Sequence, residues 1–234
     1  MLFLSRGHGC HGFFVASYWY FMMNIVTDIT VQKRNKERVN IFIDGRYTFS
    51  LALETAVSLK IGQQLTEADL ANLQTADTYA QAKNKAITLL SYRPRSIQEI
   101  SQKLAQKGYD ELVIDRVLQH LQDVALLDDQ AFAAYWVEQR QTFKPRSRLA
   151  LHNELRRKGV SRRIIETAVA NVDETEAAHK AIESKLWQWR SLPQDTFMQK
   201  AGQYLQRRGF SYAIIKPVLH TLWPSIADEH TSDI

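Results

Sequence analysis

The chain has 234 residues, 45% of them hydrophobic, and a formal net charge of +5. That apolar share supports packed cores over one or two domains and excludes a disordered polyelectrolyte. The single cysteine, Cys10, excludes an intramolecular disulfide and suits a reducing, cytoplasmic setting. The pI of about 9.3 favours an acidic partner, either nucleic acid or an acidic protein surface.

Residues 1–23 form a leader. Its apolar run, Phe13–Met23, is too short to span a bilayer, and bulky Tyr18, Trp19 and Tyr20 stand where a signal-peptide cleavage site needs small residues. His8, Cys10 and His11 crowd into four residues without a fourth ligand, so no metal or other cofactor is expected. The leader reads as a disordered tail or a mis-assigned start, with translation beginning at Met22 or Met23.

Residues 24–74 change character. Ile29 and Val31, then Val39, Ile41 and Ile43, then Tyr47 and Phe49 alternate with polar residues at the period of half-buried strands. With a turn at Asp44-Gly45 they predict a small three-strand antiparallel meander. A short helix is expected over Leu51–Leu59, stopped near Gly62, and Thr66 with Asp69 resembles a capping pair opening another.

From residue 75 the chain repeats itself. Pro145-Arg146-Ser147, Leu155, Lys158-Gly159, Ile165 and Val169 reappear 51 residues earlier as Pro94-Arg95-Ser96, Leu104, Lys107-Gly108, Ile114 and Leu118. Fifty residues later, Leu205, Arg208-Gly209, Ile215 and Leu219 complete a third copy. A period of this size marks a stacked supersecondary unit. Three units of three helices are predicted, over 75–127, 128–172 and 173–226, with a tail at 227–234. In the first, Thr75–Ser91 forms a helix, Ser96 and Glu99 form a capping box, Gly108 ends that second helix, and Asp110 caps the third. In the second, Asp128 or Asp129 caps a helix containing Phe132, Tyr135 and Trp136; Pro145 blocks it, Gly159 ends the next, and Ser161 caps the last. The third has Ala178, Ile182, Leu186 and Trp189, a break at Pro193, and Gly209 repeating the turn. Pro217 inside its last helix should kink or shorten that helix. The fold class is therefore mainly α: tandem three-helix repeats in an elongated array, preceded by a small antiparallel β segment.

Charge is unevenly spread. Val137–Arg163 carries nine bases and two acids, a local +7, whereas Asp110–Asp129 carries six acids and one base, a local −5. At about 100° per residue, Arg157 falls opposite the Leu151/Leu155 stripe with Arg156 and Lys158 flanking it, so all three should project outward. The expected contact residues are Arg95, Arg140, Lys144, Arg146, Arg148, Arg156, Arg157, Lys158, Arg162 and Arg163, facing carboxylates or phosphates. Trp136 reads as core, beside Phe132. Trp187 and Trp189 lie two apart, so one at most faces the core well. No phosphate-cradling glycine loop or His-Glu-x-x-His site is present. The histidines His120, His152, His179 and His220 are scattered one per helix.

FAAYWVEQR at 132–140, preceded by LLDD at 126–129 and followed by NELRRKGV at 153–160, resembles the RecX recombination regulators. YRPRS at 92–96 with KLAQKGY at 103–109 is the matching signature of the first repeat. The resemblance covers roughly Asp77 to Trp223 and extends to the β segment. It implies a regulatory protein without catalysis of its own, active in DNA repair, recombination and the SOS response. Such a protein binds the RecA recombinase filament on DNA and restrains its ATP hydrolysis and strand exchange, as a cytoplasmic monomer with no membrane contact. A helical-repeat protein that binds single- or double-stranded DNA directly is the competing reading. The third repeat departs from the family pattern by lacking Pro-Arg-Ser and by containing Pro217, and the leader has no family counterpart.

Overall fold

The structure, a computed structural model, describes residues 24–231, with side chains to Trp223. The leader, with its expected start and its histidines, lies outside the described residues. The chain divides into two compact units, one ending at Asp77 and the other beginning at Thr78.

The first unit is a small antiparallel sheet with its helical cover. Strands β1 (Asn24–Val31), β2 (Arg38–Ile43), β3 (Arg46–Ala52) and β4 (Gln64–Leu65) stand in the order β3-β2-β1-β4. The predicted meander is thus four-stranded. At two residues β4 is too short to show alternation, and it pairs only with Asn24 and Ile25. Asp44 and Gly45 both take positive φ, 50° and 78°, the geometry a two-residue turn needs to match strand twist. A register shift between Val26 and Asp28 sets Val26 and Ile29, three apart, opposite Ile43 and Ile41 on one face; Val26 is fully buried, and Val31 at the strand end is exposed. Val26, Val39, Ile41, Ile43 and Leu51 pack with Ala56, Leu59 and Leu65.

Helix α1 is only Leu53–Ala56, because Leu51 and Ala52 complete β3. Thr66 and Asp69 do form the expected reciprocal cap: the Asp69 N–H donates to Thr66 Oγ1 at 3.1 Å and the Thr66 N–H to Asp69 Oδ2 at 2.9 Å. The helix they open, α2, runs unbroken from Glu67 to Tyr92 and absorbs the separate helix expected from Thr75. No glycine or proline interrupts it, and Thr75 donates back to the Ala71 carbonyl instead of capping. Asp77 ties α2 to the sheet through both Arg38 Nη atoms, at 3.2 and 3.1 Å, and the Ala52 N–H at 2.7 Å.

The second unit holds the repeats. The first combines the end of α2 with α3 (Ile97–Ala105) and α4 (Glu111–Asp123). The second has α5 (Asp129–Phe143), α6 (Arg148–Arg157) and α7 (Arg162–Val169). The third has α8 (Glu174–Trp189), α9 (Gln194–Arg207) and α10 (Tyr212–Thr231). Each repeat has its own apolar core, centred on Ile100 and Leu121, on Phe132 and Leu155, and on Ile182 and Phe197. Gly108, Gly159 and Gly209 close the middle helices at φ 84°, 80° and 91°. The next N–H reaches back to Leu104, Leu155 or Leu205, completing the same left-handed cap three times. Ser96 with Glu99 forms the capping box, and Asp110 and Asp128 cap α4 and α5. Ser161 holds the cap position of α7 without a side-chain bond. Pro217 does not shorten α10, whose backbone continues to Thr231, past residue 226 where the pattern ends.

Candidate interaction surface and the joints beneath it

Successive repeats meet through one joint, used twice. Ser96 caps α3 and also donates from Oγ to the Lys158 carbonyl at 2.6 Å, at the glycine turn of the second repeat. One repeat on, the Ser147 N–H donates to the Arg208 carbonyl at 3.3 Å, and Arg208 Nη1 donates to the Pro145 carbonyl at 3.0 Å. A second prong accompanies the first. The acid opening each new repeat accepts the first N–H of the previous repeat's middle helix: Ile97 to Asp129 Oδ1 and Arg148 to Glu174 Oε1, both at 3.0 Å. Burial raises the Asp129 carboxyl above the ordinary carboxylate range, the neighbouring Asp128 charge adds to the rise, and the Ile97 N–H opposes it.

The third repeat, which lacks Pro-Arg-Ser, differs at the position of this joint. Helix α9 starts a turn earlier, and Phe197 stands fully buried where Ser147 stands in the second repeat. Gln199, Lys200 and Gln203 of α9 are exposed.

Above the first joint lies a cluster of charge and aromatic surface. Glu154, 8% exposed, accepts from Trp136 Nε1 and Arg140 Nε, both at 2.8 Å. Arg146 Nε pairs with its other oxygen at 3.0 Å, without hydrogen-bond alignment. Lys158 does not project outward as its helical position predicts. It lies beyond the last regular turn of α6, where the chain bends toward Gly159, and its ammonium donates to Glu99 Oε1 at 2.8 Å. The same ammonium stands 4.1 Å from the Trp136 ring centroid. Trp136 is therefore half-buried scaffold between Lys158 and Arg140, not simple core. Glu99, Trp136, Arg140, Glu154 and Lys158 line a polar groove of about 390 Å³ with Gln98, Gln102 and Arg157.

Burial pushes the Glu99 carboxyl up, but hydrogen bonds from Arg93 and Lys158, together with their charges, outweigh it and hold it at about 2. A carboxyl depressed from 4.5 stabilises the fold fully above that pH and loses its contribution as pH falls toward 2. Urea unfolding from about pH 5 to about pH 2 should therefore show a shallower loss of stability for Glu99→Gln than for the unaltered protein. Equal slopes would contradict the pairing.

The ten expected contact residues separate into two sets. Arg95 donates to the Leu89 carbonyl at 3.0 Å, Arg148 Nε donates to the Val172 carbonyl at 2.8 Å, and Arg140, Arg146 and Lys158 are paired as described. Lys144, Arg156, Arg157, Arg162 and Arg163 are exposed. Only Arg162 among these forms an ion pair within the described residues, an exposed one with Glu166 at 2.6 Å. Arg148, His152 and Arg156 share a stripe of α6, and Arg162 and Arg163 open α7 beside it. The sequence reading missed Glu154 and Glu174, and the bond Asp129 makes to the preceding repeat. A usable signal existed for the joint: Ser96 and Ser147 recur, and the last copy alone omits them.

Among the described residues no group of three or more His, Cys, Asp or Glu is placed to hold a metal ion, and no helix is long and apolar enough to cross a membrane. The fold and this surface define a three-helix-repeat protein that presents a basic face from its middle repeat. Family models match in the same order: the regulatory protein RecX N-terminal domain at 24–66, and the first, second and third RecX three-helix domains at 82–121, 128–169 and 172–219. Regulatory protein RecX of Bacillus licheniformis is 35% identical over 84% of this chain and 77% of its own length. That of Clostridium tetani is 31% identical over 86% and 95%. A crystal structure of a regulatory protein RecX superposes with a TM-score of 0.64 at 29% identity, covering 83% of this chain and 98% of that one. The chain belongs to the RecX family of regulatory proteins.

Proposed function

We propose that this protein regulates the RecA recombinase without catalysis of its own. It binds the RecA filament on DNA through the exposed bases of its second repeat and restrains ATP hydrolysis and strand exchange. Membership of the RecX family supports the regulatory role. The observation that carries the choice of surface is the division of the bases: Arg156, Arg157 and Arg163 are exposed without a side-chain bond within the described residues, and they flank the α6–α7 turn. Guanidinium groups left unpaired at one place suit carboxylates and phosphates, both of which a nucleoprotein filament displays. The test is ATP hydrolysis by RecA on single-stranded DNA, with this protein added to preformed filaments at sub-stoichiometric ratios. Inhibition is expected. Unchanged hydrolysis at every ratio, alongside tight salt-sensitive binding to naked DNA, would replace the proposal with direct DNA binding.

A further inference from the structure

The first helix of every repeat ends on an aromatic residue followed by a base: Tyr92-Arg93, Phe143-Lys144 and Trp189-Arg190. The joint accounts for the Pro-Arg-Ser that follows in two of them, and Glu99 accounts for Arg93. Neither accounts for the ring. Trp189 is half-buried against Tyr204, with centroids 5.4 Å apart, and so serves its own core. Tyr92 and Phe143 are 77% and 71% exposed, at equivalent places one repeat apart. Leaving two large rings in water contributes nothing to folding.

We propose that Tyr92 and Phe143 are stacking platforms for the bases of single-stranded nucleic acid. Along the chain each ring adjoins polar residues, exposed Ser91 for Tyr92 and exposed Thr142 and Lys144 for Phe143. A protein partner would call for a contiguous apolar patch. A single-stranded polyanion needs what is present here: separated π faces at a repeating interval, each beside a cation, with the local +7 of the middle repeat adjoining. Lys144 is exposed, and Arg93 keeps 38% of its side chain exposed while paired. The inference does not rest on the RecA reading, since its ligand is the bare strand.

The test compares two probes in the absence of RecA: an oligothymidine, and an abasic oligodeoxynucleotide of equal length that keeps the phosphates and lacks the bases. Tyr92→Ala with Phe143→Ala should weaken oligothymidine binding by at least about fivefold, the lower end for one lost stack, and leave abasic binding unchanged. Tyr92→Trp with Phe143→Trp should restore it. Equal affinities for both probes before and after the alanine substitutions would overturn the assignment. So would loss of RecA inhibition with oligothymidine binding intact, which would make the rings a protein contact.

Discussion

Glu154→Ala is expected to destabilise the protein by about 3 kcal/mol, at the lower end of what removing one partner from a buried ion pair costs. The carboxylate holds Trp136, Arg140 and Arg146 together, and its own side chain is 9% exposed. Without it, the Arg140 guanidinium and the Trp136 indole N–H lose their acceptor, and Arg146 loses its counter-charge. Arg140 and Arg146 are 28% and 35% exposed, so water recovers part of their solvation, which keeps the cost from the upper end. Glu166→Ala supplies the contrast. Its pair with Arg162 is exposed on one helix, so its loss should shift stability far less. Urea midpoints at neutral pH separate the two; similar shifts would show that Glu154 is not the post on which the cluster hangs.

The second large effect is positional. Gly108, Gly159 and Gly209 share one backbone conformation, yet alanine should be tolerated very differently at the three. At Gly108 an added Cβ meets nothing within 4 Å, so Gly108→Ala should cost only the left-handed strain, about 1 kcal/mol. At Gly159 the Cβ would overlap the Gln98 side chain, coming within 2.5 Å of its Cβ. At Gly209 it would stand 2.6 Å from Ser147 Oγ and 2.8 Å from Ala150 Cβ. These atoms belong to the preceding repeat, and overpacking adds about 1–3 kcal/mol to the strain. Gly159→Ala and Gly209→Ala should therefore each cost about 3 kcal/mol. Equal losses at all three positions, measured by urea unfolding, would mean the glycines serve backbone conformation alone.

Much of the repeat unit was legible in the chain because its devices are local. The capping box at Ser96 and Glu99, the three left-handed caps and the cap at Asp110 each involve residues a few positions apart. Likewise, Trp187 and Trp189 were separable by angle alone, and Trp187 is 69% exposed while Trp189 packs. The failures share a different cause. Strand β4 exists through its partner, not its pattern. The start of α2 and the helix expected at Thr75 fuse because Thr75 can cap or donate backward, and only packing chooses. Lys158 was placed by helical geometry at a residue where the helix has already ended. Asp128 and Asp129 both read as caps of α5; Asp128 is the cap, and Asp129 serves a residue 32 positions earlier. The division of the bases into paired scaffold and open surface was hidden largely for the same reason, since partners such as Val172 for Arg148 and Glu99 for Lys158 are remote in sequence.

That division is the centre of the account, and one measurement meets it directly: inhibition of RecA filament ATP hydrolysis by Arg156→Glu/Arg157→Glu/Arg163→Glu beside the unaltered protein, with the thermal midpoint of each recorded. These exposed residues hold nothing within the described structure, so the expected result is an unchanged midpoint with inhibition lost. Inhibition retained in full by the folded triple variant would contradict the account and return the contact surface to some other face of the repeats.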